Sequence, residues 1–494
     1  MRLLTIDVRP AHHDEGVNGY FVAQVLTFNK SGYDECVAKK ENELVCFILN
    51  NNSWRYNYEN YHGPFPFYLM AISVMLFGEN IFAMRIVSAI LGVLIGLFVL
   101  LFRKQLGNFG SLAACFFLLF SPALLYYSLD AIHEYYFAFF AFASLCFFLK
   151  FAEKFEGKYL YAGTLMLAFL FTTKEASFLV GIAIVVISLF LFLFNACNKR
   201  VCLNFNIYKR LVISALLCFI IFSFVFVTLF SSLFTNMKGA FDAFKSPLVW
   251  SERMSEGAGH EKPQSYYFEL MLFSESIMLF IAVLGILIAF YRGNLTLLSF
   301  SAFFLLFIVG ASIPKYKVPW GLITALPPLA LLAGYAIEET YMLLLKKFDK
   351  ANKRLFSIVF ILAISIILLF VFLQSFYLNT EKCESEENKL VYVQTKFSTK
   401  NLLKRIESLG KADLKIAVIN TESVWPLPWL IKRYNTTYYD GNTLAYIGID
   451  PYDVALVEIA YDYKILGKDG FYKETISLRP GMEMFAYLKK GVFE

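Results

Sequence analysis

About ten stretches of this chain are apolar over lengths that only a membrane accommodates, and no other feature narrows the fold so far. A helix rises about 1.5 Å per residue and needs about 20 residues to cross roughly 30 Å of hydrocarbon. The stretches lie near 81–102, 108–127, 132–152, 158–173, 176–196, 209–234, 268–291, 294–311, 320–343 and 355–378. Of these, 158–173 is marginal in length, and 268–291 contains Glu275, where a break between an interfacial turn and a shorter span is expected. Composition agrees, since 58% of the residues are hydrophobic, 17% are charged and 54 are Phe, which excludes an ordinary soluble domain. The expected fold is a polytopic α-helical membrane protein with three parts. Residues 1–80 form a first loop with interfacial helices, 81–378 the transmembrane domain, and 379–494 a small soluble α/β domain. Residues 65–77 are apolar but too short to span, so they are expected along the interface.

Lys and Arg in short loops resist translocation, and this sets orientation. Counted alternately, Arg103-Lys104, Lys150 to Lys158, Lys199-Arg200 with Lys209-Arg210, Arg292, and Lys346-Lys347 to Arg354 share one side, the expected cytoplasmic one. The other side receives 1–80, the turn 128–131, Lys174-Glu175, the loop 235–264, the turn 312–319 and everything after 378. All five histidines, His12, His13, His62, His133 and His260, fall there as well. Residues 1–80 are rich in charge and follow no apolar helix, so a transmembrane helix upstream of Arg2 is expected, making about eleven spans. No cleavable signal peptide is visible. The net charge of +6 arises mainly in the cytoplasmic loops and describes orientation, not nucleic-acid binding.

On the non-cytoplasmic side, Asp14-Glu15 stands behind His12-His13. Such a pair is most often a solvated loop dipeptide; beside a membrane core it also suits an enzyme acting at the lipid surface. The turn 313–320 places Lys315 and Lys317 where positive charge is disfavoured, stiffened by Pro314 and Pro319. Either a short turn tolerates them, or they clamp a lipid phosphate and stabilise it as a leaving group. Imidazole and carboxylate together suit zinc or manganese, which makes His62, His133 and Glu134 candidate ligands for a divalent metal, with Asp14 nearby. No spacing among them is diagnostic. Arg85, near the start of its span, is expected to snorkel or meet a carboxylate, and the loop 235–264 is long enough to cover a site.

In combination, Asp14-Glu15, Tyr61-His62-Gly63-Pro64, Phe120-Ser121-Pro122 running into Tyr126-Tyr127-Ser128, Thr173-Lys174-Glu175, His260-Glu261-Lys262-Pro263 and Trp425-Pro426-Leu427-Pro428-Trp429 resemble the flippase activity-associated proteins. These belong to the GT-C glycosyltransferase superfamily, alongside the dolichyl-phosphate-mannose protein mannosyltransferases and the aminoarabinose transferases of lipid A. The resemblance runs from about Arg2 to Arg433. It implies a GT-C fold, a helix before Arg2, and transfer of a sugar from a polyprenyl phosphate to an acceptor hydroxyl on the extracytoplasmic face of the cell (inner) membrane. Asp14 would be the base, with Glu15 orienting the acceptor or assisting. Phosphate is a good leaving group, so one carboxylate can suffice. The expected substrate contacts are His62, Glu134, Lys174, His260, Lys262, Lys315 and Lys317. The family pattern is basic and aromatic with an Arg where this chain has Leu129-Asp130-Ala131-Ile132-His133-Glu134. The expected partners are the lipid-linked donor, membrane lipids and an unidentified acceptor; nucleic acid is not among them. The rival class is a transporter or flippase accessory protein that moves lipid-linked sugars without transferring them. Its ionisable groups would collect near the bilayer midplane, whereas here they gather at one surface.

After 378 a polar linker leads to runs of strand length. Residues 414–419 and 454–459 read as buried strands, Trp429 to Tyr434 as a helix, and Glu474 to Leu488 as a hairpin turned at Pro480-Gly481. No phosphate-binding glycine loop or nucleophile elbow occurs in it, so a supporting or acceptor-recognition role is expected. Cys36 and Cys46 share the first outer loop and could pair in an oxidising compartment; Cys197 and Cys202 show no zinc pattern.

Overall fold

In the computed structural model, residues 2–27, 54–59, 62–198, 205–257 and 259–493 are described. Cys36, Cys46, Cys202 and the Tyr61 position lie outside them. The chain opens with a single turn, α1 (Arg2–Thr5), and a short helix, α2 (His13–Leu26), followed by α3 (Phe65–Phe77). The membrane body then runs through α4 (Ile81–Leu94), continued as a 3-10 stretch (Ile95–Phe102), α5 (Arg103–Phe120), α6 (Pro122–Ser128), α7 (His133–Lys154), α8 (Gly157–Phe171), α9 (Ser177–Asn198) and α10 (Phe205–Phe230). Two short helices follow, α11 (Met237–Asp242) and α12 (Ser246–Glu256). The body closes with α13 (Tyr266–Ser274), α14 (Ser276–Arg292), α15 (Leu295–Ser312), a 3-10 turn (Pro319–Thr324), α16 (Leu326–Leu345) and α17 (Lys350–Thr380).

Among the described residues, seven helices are long and apolar enough to cross a membrane, or eight if the bent pair α13–α14 is one span. The run Ile81–Phe120 turns back on itself: at Gly107 the backbone takes φ 70°, and Gly96 packs against Cys115 and Leu119 on the returning arm. The region expected at 158–173 is α8, whose 15 residues reach only about 22 Å. The expected break in 268–291 falls at Glu275, where α13 and α14 meet at 107°. Its buried carboxylate accepts from Ser121 Oγ at 2.7 Å and from Ala123 N at 2.9 Å, so it holds the start of α6.

The charged loops identify the two ends of the body. Glu153, near the C-terminal end of α7, accepts from Gln105 and Thr296 and pairs with Lys150, while Arg292 pairs with Glu339. These are loops that carry the excess of Lys and Arg, and they meet at one end. His133 opens α7 at the other end, 22 residues and about 33 Å away.

The C-terminal part contains α18 (Phe397–Ser408), α19 (Leu427–Leu430) and a five-stranded sheet in the order β2-β1-β4-β7-β6. Its strands are β1 (Lys415–Asn420), β2 (Asn435–Asp440), β4 (Val454–Glu458), β6 (Phe471–Arg479) and β7 (Met482–Lys489); β3 (Ile447–Gly448) and β5 (Ile465–Leu466) form a separate parallel pair. β1 lies between β2 and β4 in parallel, with Ile416 opposite Val454, and β7 adds antiparallel to β4. Continuous burial over 416–419 and 454–457 is what a strand covered on both faces requires. The hairpin β6–β7 turns at Pro480-Gly481 as expected. The helix expected over Trp429 to Tyr434 is instead the single turn α19, followed by β2. That strand is polar and half-exposed, the character of an edge, and it carries no apolar signal.

Candidate active site

The site is built around the start of α2. His12 caps this helix: its Nδ1 accepts from Asp14 N at 3.0 Å, and His12 N donates to Glu15 Oε2 at 2.7 Å, a reciprocal capping box. A ring nitrogen that accepts carries no proton, so His12 Nε2 carries it and donates to the Tyr392 carbonyl at 2.7 Å.

Glu15 is fully buried. It receives Arg85 Nε and Nη2, each at 2.6 Å, and also Ala131 N at 2.8 Å. The Arg85 fork also donates to the carbonyls of Ile6, Arg9 and Pro10, pinning the chain that leads into α2. Glu15 was expected as a catalytic partner, but it does not face the cavity. Its oxygens are occupied by buried donors, and it is a fastener between α2, α4 and the turn before α7. Arg9 pairs with Asp130 at 2.5 Å, and Asn18 donates to the Ala131 carbonyl at 2.7 Å, so that turn is held on both sides.

Asp14, one residue earlier, points the other way, with 38% of its side chain exposed. It lines a cavity of about 370 Å³ together with Asn18, Tyr58, His62, His133, Glu134, Lys174, Glu175, Arg253, His260, Tyr316 and Trp320. Residues from a loop, two helix starts, one tight turn and the segment 246–260 thus converge. Burial alone would raise the Asp14 pKa; the hydrogen bond from His13 Nδ1 at 2.9 Å, with the surrounding imidazoles, outweighs it and holds the carboxyl well below its usual range.

Two ion pairs form the opposite wall. Lys174 donates to Glu134 at 2.6 Å, and His62 Nδ1 lies 3.0 Å from Glu175. Burial disfavours the charged imidazole, yet the adjacent Glu175 prevails and raises the His62 pKa above its ordinary value. Lys174 follows the same logic, with Glu134 prevailing over burial. A raised pKa means that the His62 charge is present below the ordinary imidazole value and is lost as pH rises through the higher one. Affinity for a phosphate in this cavity is therefore expected to fall as pH climbs through that range in the wild type. His62→Gln is expected to flatten the dependence, as titrations of inorganic phosphate at several pH values would register.

A second, apolar groove of about 220 Å³ adjoins the cavity and is lined by Phe137, Leu179, Val180, Phe303, Leu306, Phe307 and Val318. Glu134, Lys174, Trp250, Met254, Tyr316 and Trp320 line both spaces. An ammonium group therefore stands where a charged chamber meets a greasy one. The segment 235–264, expected as a cover, contributes Val249, Trp250, Arg253 and Met254 of α12 to the cavity.

The expected lysine clamp is not assembled. Lys317 is 1% exposed, and its ammonium donates to the carbonyls of Lys262 and Pro314. It staples the segment 260–262 to 315–317, where Lys317 N also donates to His260 O at 3.1 Å and Glu261 bridges Tyr316. Lys262 and Lys315 are exposed and line neither space. Lys174 is instead a lysine that lines both spaces. The metal candidates do not converge either. Among the described residues no three His, Cys, Asp or Glu side chains gather around one point. His62 turns to Glu175, Glu134 is held by Lys174, and His133 is buried against Phe67 and His62. These residues do not fit a metal site. Tyr392 and Ser423, which touch the His12-His13 pair, were missed because they lie 380 and 410 residues further along the chain with no motif of their own.

This helical membrane body followed by an α/β domain is a fold that the chain shares with solved structures of the GT-C type. Within that class, residues 61–227 match the family model described as dolichyl-phosphate-mannose-protein mannosyltransferase. ArnT from Cupriavidus metallidurans bound to undecaprenyl phosphate is similar over 100% of this chain and 96% of its own, at 13% identity and a TM-score of 0.58. Its apo state gives a TM-score of 0.55 at 13% identity, over 100% of this chain and 96% of that one. The archaeal oligosaccharyltransferase AglB from Archaeoglobus fulgidus, in complex with an inhibitory peptide and a dolichol-phosphate, gives 0.55 at 12% identity over 98% of this chain and 71% of its own. A search of the curated proteins finds no match.

Proposed function

We propose that the chain is a membrane glycosyltransferase that moves a sugar from a polyprenyl-phosphate donor to an acceptor hydroxyl, with its site on the extracytoplasmic face of the cell membrane. The observation that carries this reading is the position of Lys174 on the boundary between the Asp14 cavity and the apolar groove. A donor of this class has a long hydrocarbon tail, one phosphate and a sugar, in that order. Groove, ammonium and acidic cavity offer matching surroundings in the same order. The match with the mannosyltransferase family model and the fold shared with proteins that hold polyprenyl phosphates support the same class.

In the proposed step the acceptor oxygen attacks the anomeric carbon as the bond from that carbon to the phosphate oxygen breaks, inverting the centre. The acceptor proton passes to Asp14. The phosphate leaves with the bonding electrons, and the charge it gains is balanced by Lys174, Arg253 and His62 in a partly water-excluded site. Like the base assignment, the Lys174 role is part of this reading.

In a strain lacking the chain, lipid-phosphate-linked sugar is expected to accumulate while the acceptor loses that sugar. Wild type is expected to reverse both changes. Lys174→Met is expected to reverse neither, with undecaprenyl phosphate affinity down by about tenfold or more, the scale of one lost charge-assisted contact. Accumulation on the cytoplasmic leaflet alone, with transfer intact in opened membranes, would instead indicate an accessory to lipid flipping.

A further inference from the structure

The two histidines before Asp14 both reach across to the C-terminal part of the chain. His12 Nε2 donates to the Tyr392 carbonyl in the linker, as above. His13 stands between two groups: its Nδ1 lies 2.9 Å from Asp14 Oδ1 and its Nε2 lies 3.2 Å from Ser423 Oγ, on the loop after β1. The adjoining packing is close. Gly16 and Gly19 form one stripe of α2, where a Cβ at Gly16 would sit 2.5 Å from Pro426 Cα and one at Gly19 would collide with the Trp429 ring. Trp429 Nε1 in turn donates to Glu79 Oε1 at 3.0 Å, just before α4. The helix that carries Asp14 is therefore gripped by the loop that carries Ser423.

From these contacts we infer that the C-terminal domain positions the carboxylate of Asp14 through His13, with Ser423 fixing the far side of the imidazole. His13 is a positioning residue: it holds one Asp14 oxygen and leaves the other toward the cavity. The inference rests on Asp14 as the base. It gives the α/β domain a role in turnover that its lack of nucleotide or nucleophile motifs leaves open. Any movement of the loop 421–426 would reach the base through a single ring.

The test uses the full-length chain, with two readouts: consumption of endogenous lipid-linked sugar in membranes of the deletion strain, and affinity of the purified protein for undecaprenyl phosphate. Loss of a group that orients a reacting side chain costs about 10- to 100-fold in rate. His13→Ala is expected to lose turnover on that scale, with affinity within about twofold of wild type, because His13 is not among the groups proposed to meet the phosphate. His13→Asn places an amide N–H where Nδ1–H was and is expected to recover most of the rate, which a merely bulky filler would not do. Ser423→Ala, at an exposed position, is expected to lose about threefold, the scale of one weak hydrogen bond. Wild-type turnover in His13→Ala while Asp14→Asn is inactive overturns the inference and leaves the base assignment standing. Full turnover in Asp14→Asn overturns the base assignment and the inference with it. If His13→Ala also loses lipid binding, Ser423→Ala decides, and an unchanged rate there counts against the inference.

Discussion

Asp14→Asn is expected to lower sugar transfer by about 10³-fold, within the range that a positioned base contributes, while undecaprenyl phosphate still binds. The substitution keeps shape and keeps an oxygen that can accept from His13, so the start of α2 has no reason to rearrange. What it removes is proton affinity. Because the wild-type carboxyl is held below its usual range, it is ionised throughout the neutral region. A depressed pKa means that the ionised form is lost only as pH falls through the lower value. Asp14 therefore adds no limb to a pH profile between about pH 5 and 8, and the variant is expected to be depressed by the same factor across that range. A lowered pKa also makes a weaker base. That is tolerable where the leaving group is a phosphate whose departure is far advanced before the acceptor proton becomes acidic. Assays of donor consumption in deletion-strain membranes measure the loss, and transfer within a few-fold of wild type would remove Asp14 from the chemistry.

Neighbouring carboxylates show where sequence is a good guide and where it fails. Asp14 and Glu15 are indistinguishable as letters, and both lie at the first turn of α2. Successive helical positions point about 100° apart, so one residue reaches the cavity while the next meets Arg85. Only the partner decides which is chemistry and which is architecture. Membrane spans were legible because hydrocarbon thickness imposes a length, and the Glu275 break was legible because a lone carboxylate inside an apolar run must find a donor. The lysines were misread for the converse reason. Lys317 violates the charge rule, but it satisfies two backbone carbonyls locally, a contact that charge counting does not anticipate. Lys174 and Glu175 are neighbours in the chain, yet each turns to a distant partner, Glu134 and His62, which adjacency alone does not foretell. Strand β2 escaped because an edge strand needs no apolar alternation.

Arg85→Met carries the largest expected effect on the fold itself. The guanidinium and the Glu15 carboxylate are both wholly buried and meet in a bidentate fork, and three backbone carbonyls take further donors of the same group. Removing the cation leaves a carboxylate and three carbonyls without it in a dry site, and breaking a buried pair in this way costs about 3–5 kcal/mol. That is a large share of the stability of a typical domain. The protein is expected to unfold at markedly lower temperature in detergent, and its yield as a monodisperse species is expected to collapse. Adding Glu15→Gln to Arg85→Met is expected to recover part of the loss, since no uncompensated charge then remains and the amide oxygen can still accept from either His12 N or Ala131 N. Recovery stays partial because one of those donors is left without its acceptor. A double-mutant cycle on melting temperature measures the coupling. If Arg85→Met melts with the wild type, the fork is not what seats α2 against the membrane body, and the orientation of Asp14 must be set by the remaining contacts of α2, Asn18 with the Ala131 carbonyl and those with the C-terminal domain.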